Sequence, residues 1–253
     1  MRFLFIQILL TSFLISSGIL RTDGRIIIND DNEKVILKGF GLGGWLVLEG
    51  YMWNFPGFGS TTTMENAVID LLGEQKADLF FERYRSNYIT EKDISFLAEN
   101  GFNALRIPLH YKHFSPSFNE FTDIGFDLLE PIINACRDND MYVVLDMHAA
   151  PGAQNTSDFS DSDEQEARLF TQYSNQKWYV STWRYIAEHY ANEPVVAAYD
   201  LLNEPVLPWG YGPPALRNLY EWAIDSIRMV DPDHIVIIEG NWFGNDHTGL
   251  LPP

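Results

Sequence analysis

The chain has 253 residues, with 17 Lys and Arg against 35 Asp and Glu, a formal net charge of −18. So acidic a chain repels phosphate backbones and anionic lipid heads, which argues against nucleic acid or a charged membrane surface as a partner. With 46% hydrophobic and 14% aromatic residues it is too apolar to be a disordered polymer, and its length suits one large domain or two small ones.

The N-terminus opens with Arg2, an apolar run over residues 3–10 that resumes at 13–15, and then the small residues Ser16, Ser17 and Gly18. That order predicts a secretory signal peptide over residues 1–18, with an extracellular domain over 19–253. A membrane anchor is the alternative, but the run falls short of the ~20 residues a span needs and Thr11 and Ser12 interrupt it. Cys136 is the only cysteine, so an exported chain would hold no internal disulfide and must rest on a large core. Its apolar surroundings predict a buried, inert thiol.

Two short β-prone runs, residues 25–29 and 34–38, flank Asp30, Asp31 and Asn32 and predict a hairpin. Strand-like runs then fall at residues 37–45, 102–108, 142–148, 195–203 and 235–239. Between them, Thr90 with Asp93 forms a capping-box signature and Gly101 a stop. Glu130-Pro131 suits a helix first turn, and apolar spacing predicts helices over 166–190 and 215–230. Alternating strands and helices imply a parallel sheet. Polar residues end strand after strand (Arg106; Asp146 and His148; Asn203 and Glu204; Glu239 and Asn241), which a barrel collects into one site. A doubly wound sheet would use mainly its switch point, and no G-x-G-x-x-G or P-loop follows any strand. The expected fold is therefore α/β, a TIM (β/α)8 barrel with about five of its eight strand–helix units, preceded by an N-terminal β-hairpin. A chain ending after the fifth unit is expected to be inactive alone.

Pro205 cannot continue a central strand, so Asn203 and Glu204 are expected at its C-terminal lip. A carboxyl beside an amide there suits protonation of a glycosidic oxygen, with the amide holding the 2-hydroxyl. A helix-capping Asn-Glu-Pro is the plainer alternative.

Residues 201–205 (LLNEP) resemble the acid/base motif of glycoside hydrolase family 5, the retaining cellulase, mannanase and exo-β-1,3-glucanase family of clan A. Residues 38–49 (KGFGLGGWLVLE) are similar to its first-strand signature, 101–108 (GFNALRIP) to its second strand and 146–152 (DMHAAPG) to its third. The resemblance implies Glu204 as general acid/base, Asn203 on the sugar 2-hydroxyl, Arg106 bound to the nucleophile carboxylate, and His148 in the same subsite. Asp146 would orient His148 or pair with Arg106. His110 and Glu49 are candidate sugar contacts, as are Trp45, Trp209 and Trp242 among the aromatic residues near the strand ends. The family's nucleophile is a glutamate after the seventh strand, expected beyond residue 253; Glu239, on the fifth, is expected to support the site or touch sugar instead.

No cofactor is implied, and no metal site either: the acidic stretch 158–166 lacks EF-hand spacing and reads as a solvated loop, and there is no H-E-x-x-H. Asn155-Thr156-Ser157 is a glycosylation sequon on the active-site side, where a glycan would obstruct. The expected partner is a β-glucan polysaccharide or oligosaccharide, β-1,4 or β-1,3 linked, cleaved by a secreted retaining enzyme; no protein partner is inferred. The alternative is a non-catalytic carbohydrate-binding remnant or an inactive fragment of such an enzyme.

Overall fold

A computed structural model of the chain describes residues 18–55, 57, 59–162 and 165–250. All but the last residue of the expected signal peptide lies outside them. No helix among the described residues is long and apolar enough to cross a membrane.

The first element is a three-stranded antiparallel sheet, β1 (Arg21–Asp23), β2 (Ile26–Ile28) and β3 (Lys34–Val35). The expected hairpin is its β2–β3 half. The additional strand follows from Gly24, whose φ of 59° at the first of two loop residues suits the primed turns that close hairpins. Leu20, fully buried, packs with Tyr142 and Ala197 near the starts of two barrel strands, so this small sheet closes the lower end of the larger one.

Five parallel strands follow in sequence order: β4 (Gly39–Gly41), β5 (Ala104–His110), β6 (Tyr142–Ala149), β7 (Val196–Asp200) and β8 (Ile235–Ile237). A Cβ on Gly39 would stand 1.9 Å from the Ala104 carbonyl oxygen, so glycine is what lets β4 lie against β5. The connection between these two strands is longer than a barrel unit needs. It carries α1 (Gly50–Trp53), α2 (Thr61–Leu72), α3 (Glu74–Tyr88) and α4 (Glu91–Glu99). Only α4, with its Thr90–Asp93 capping box and Gly101 at φ 82°, was signalled by local sequence.

The remaining helices are α5 (Ile124–Asp138), α6 (Arg168–Thr171), α7 (Tyr173–Tyr190) and α8 (Pro213–Arg228). Two expectations need correction. Pro131 lies inside α5 rather than in its first turn: it sits on the exposed side, where the backbone acceptor left by its missing N–H can turn to water. The single helix expected over 166–190 is broken at Gln172, whose extended backbone separates α6 from α7.

Side chains of the two central strands alternate between the faces, with register shifts at Leu109/His110 and Val143/Val144. Leu105, Ile107 and Leu109 of β5, with Val143, Leu145 and Met147 of β6, point to the helices and are fully buried in one continuous core. Cys136 of α5 lies in that core, and burial pushes its thiol up to about 12. The opposite face carries Arg106, Asp146, His148 and Asp200 toward the interior. The described residues thus form successive strand–helix units of a TIM barrel with polar groups gathered at the carboxyl ends of the strands.

Candidate active site

The segment after β7 decides the geometry. The Leu201 carbonyl is turned out of the sheet and accepts from the Tyr179 hydroxyl at 2.8 Å and the Trp183 indole at 2.9 Å, both on α7. The Asn203 N–H crosses to the Met147 carbonyl of β6 at 3.1 Å. Glu204 then adopts φ 49°, a left-handed conformation uncommon for a side-chain-bearing residue. Its N–H donates to Glu239 Oε2 at 2.8 Å and its carbonyl accepts from Asn155 Nδ2 at 2.9 Å. Side chains from two other loops therefore hold both backbone groups of the strained residue.

Arg106 is the hub. Its Nε donates to Asp200 Oδ2 at 2.9 Å, Nη1 meets Asp146 Oδ2 at 3.0 Å, and Nη2 reaches Asn203 Oδ1 at 2.9 Å and Glu239 Oε1 at 3.1 Å. Burial alone would lower the guanidinium's proton affinity, but Asp146 and Asp200 outweigh it, and the charge is held more firmly than usual. His148 Nδ1 lies 2.6 Å from Asp146 Oδ2, while its Nε2 lies 3.4 Å from Asn203 Nδ2. Desolvation opposes protonation of this ring, yet the neighbouring Asp146 raises its pKa overall. Asp146 thus serves both roles weighed for it, orienting the histidine and pairing with the arginine.

These groups line a cleft of about 510 Å³ whose walls include Glu49, Tyr51, Arg106, His148, Asn203 and Glu204. Five of the expected site residues therefore come together with Tyr51, and Glu49, only 6% exposed, sits at the start of α1 against the cleft. Trp209 and Trp242 stand in the loops after β7 and β8, Trp209 fully exposed and Trp242 more than half. Neither lines the cleft.

Two expected contacts are corrected. Trp45 is turned into the core, 3% exposed, with its indole N–H donating to the Arg85 carbonyl at 2.9 Å. His110 is buried with both nitrogens engaged, Nε2 with Asp161 Oδ2 at 2.9 Å and Nδ1 accepting the Lys112 N–H at 3.2 Å. Neither can touch sugar without breaking those contacts.

The acidic stretch is also not simply solvated. Asp161 turns inward and accepts from Thr62 N at 2.7 Å, Thr62 Oγ1 at 2.6 Å and Lys112 Nζ at 3.0 Å, besides its His110 contact. Burial would raise its carboxyl, but His110, Lys112 and Thr62 together hold it far below the usual carboxylate range. The sequon Asn155 is fully buried, its Nδ2 committed to Glu204. Gln154, equally buried, donates to the His148 carbonyl at 2.7 Å and the Asn203 carbonyl at 3.0 Å, tying the loops after β6 and β7 together. Sequence reasoning missed Gln154 and Asp161. A polar residue inside a loop carries no local sign that it faces inward. Among the described residues no group of three or more His, Cys, Asp or Glu side chains is disposed to hold a metal ion.

Residues 64–252 match the sequence profile of the cellulase family, glycosyl hydrolase family 5. The chain is 33% identical over 231 residues to a β-xylosidase of Phanerodontia chrysosporium, covering 90% of this chain and 48% of that protein. It is 33% identical over 207 residues to a probable glucan 1,3-β-glucosidase A of Neosartorya fischeri, covering 80% of this chain and 49% of that protein. The chain thus spans about half the length of these curated relatives. The crystal structure of rutinosidase from Aspergillus niger superposes with a TM-score of 0.70 at 17% identity, over 81% of this chain and 62% of that one, which shows a shared fold.

Proposed function

The chain belongs to glycosyl hydrolase family 5, and from that premise we propose that it is the site-bearing part of a secreted, retaining β-glycosidase acting on β-glucan chains or oligosaccharides. The observation that carries the reading is the position of Glu204: it lines the cleft beside Asn203, Arg106 and His148, on a left-handed turn held by Asn155 and Glu239.

In this reading Glu204 gives its proton to the glycosidic oxygen as the bond to the anomeric carbon breaks and a second carboxylate attacks that carbon. Glu204, now a carboxylate, takes a proton from water as the water displaces the enzyme carboxylate. Asn203 faces the sugar's 2-hydroxyl, its Oδ1 fixed by Arg106. The attacking carboxylate is assigned to none of the described residues. Glu239 is disfavoured because its Oε2 is taken by the Glu204 amide and it follows the fifth barrel strand, whereas the family's nucleophile follows the seventh. Glu239 is a brace for the acid instead.

The names of the relatives point to two substrate classes, β-1,3-glucosides and β-xylosides, and the glucan reading is tested against the second. The complete protein, at the length of the relatives it matches, is incubated with β-1,3- and β-1,4-linked gluco-oligosaccharides, xylo-oligosaccharides and manno-oligosaccharides, and released reducing sugar is measured. Hydrolysis of either glucan, reduced ~10²-fold or more by Glu204→Gln, is the expected result. Cleavage of xylo- or manno-oligosaccharides alone overturns the glucan assignment. Glucan binding without hydrolysis favours the non-catalytic alternative.

A further inference from the structure

The parallel register sets Asp146 of β6 opposite Asp200 of β7, so both side chains enter the barrel interior at the same level. Their side chains are 0% and 5% exposed. Each spends Oδ2 on Arg106, and Asp146 Oδ2 also receives His148 Nδ1. The second oxygen of each, Oδ1, is buried with no hydrogen-bond partner. Two orphaned acceptors on register partners are costly, because a buried oxygen has given up water without replacement. Glu239 adds a third carboxyl to the same guanidinium.

We propose that Asp146 and Asp200 hold one proton between them, carried by Asp200, and that Asp200 in this neutral form is a positioning residue that fixes the Arg106 fork on Asn203 and Glu239. One arginine cannot compensate two buried aspartates and the part-buried Glu239 together, and adding a proton is the cheapest relief, as in paired carboxyls elsewhere. The Asp146 oxygen already taken by two donors leaves the proton to its partner, and a protonated Asp200 turns one orphaned acceptor into an O–H donor. The groups facing Asp200 are Arg106 on β5, Asp146 on β6 with His148 behind it, Glu239 after β8, and the phenols of Tyr179 on α7 and Tyr220 on α8. Burial raises both phenols, so they stay neutral. Burial and the Asp146 charge push the Asp200 carboxyl up to about 7, against the pull of Arg106. Ionisation above neutrality would add an uncompensated charge beside Glu239 and compete for the guanidinium that holds Asn203.

The proposal is independent of any hydrolytic activity and is tested without it. Infrared difference spectra of the full chain are taken across the neutral range, with melting temperatures over the same pH values. The wild type is expected to show a protonated-carboxyl band that disappears with a midpoint near 7, present in Glu239→Gln and absent in Asp200→Asn. Because the folded pKa is raised, the Asp200 contribution to stability is lost as pH climbs from about 4 through about 7. Asp200→Asn shows a shallower decline, the remainder belonging to His148 and Glu239, and melts no lower than wild type above pH 8, whereas Asp200→Ala, which removes the Arg106 partner, melts lower throughout. No such band in wild type, its survival in Asp200→Asn, or a wild-type pH slope in that variant overturns the proposal. Should Asp200→Asn fail to fold, the wild-type and Glu239→Gln spectra decide, since loss of the band in Glu239→Gln places the proton on Glu239 instead.

Discussion

The Glu204 N–H and the Glu239 carboxylate are joined across neighbouring strand ends by a 2.8 Å hydrogen bond. The second oxygen of the same carboxylate accepts from Arg106 at 3.1 Å. One side chain thus links the left-handed turn to the hub arginine. Glu239→Ala leaves a strained residue's amide without its acceptor, and the expected loss is about 1–3 kcal/mol of stability, with Glu239→Gln losing less because its amide oxygen can still accept. Urea denaturation midpoints check the order, and an alanine variant as stable as the glutamine variant refutes the brace.

Asp161 makes a prediction about acid. Its folded carboxyl is depressed below the ordinary range, so its contribution is present above the unfolded pKa of about 4 and is lost as pH falls toward the folded value. Asp161→Asn should cost about 3 kcal/mol near neutrality, where it leaves the His110 and Lys112 contacts without their anion, and should flatten the acid limb of a melting-temperature profile below about pH 4. An unchanged acid limb would count against the network.

The tryptophans should separate by role. Trp45→Ala empties a core position and should cost about 3–5 kcal/mol. Trp209→Ala, fully exposed, should lie within about 0.5 kcal/mol of wild type. If Trp209 meets a long glucan beyond the cleft, its loss weakens oligosaccharide binding by an amount of order 1 kcal/mol, which calorimetry against short and long oligomers would show as a deficit for the long one alone.

The Asn155 sequon should remain unmodified. Its amide is buried and donates to the Glu204 carbonyl, so a glycan could be added only to a chain not yet folded there and would then block the turn. Mass spectrometry of the peptide containing Asn155, from protein secreted by a eukaryotic host, should find it bare. High occupancy in folded protein would contradict the burial.

The barrel strands were legible because buried parallel strands are short apolar runs ending in polar groups, and Asn203, Glu204, Arg106 and His148 occupy those ends. The helical stretch between β4 and β5 was not, since α2 and α3 expose hydrophobic residues such as Leu71 and Leu79 that blur their periodicity. His110 and Trp45 were misplaced because strand-end position gives proximity, not direction. His110 turns to Asp161, 51 residues away, and Trp45 to Arg85, 40 residues away, and neither partner could be read from spacing. Asn155 carried a recognisable sequon, but nothing in it signalled that its amide would turn inward to the Glu204 carbonyl.

The strand registers bear on the order in which this chain assembles. The β5–β6 and β7–β8 pairs close segments of 38 and 37 residues, whereas β6–β7 closes 53 and β4–β5 closes 65. Loop-closure entropy favours the two shorter closures as early events. Arg106, Asp146 and His148 belong to the first of those hairpin-sized units; Asp200, Asn203, Glu204 and Glu239 belong to the second. The cleft comes into being only when the units dock along the β6–β7 seam. A lesion at that seam should therefore leave two partly structured halves with no working geometry between them.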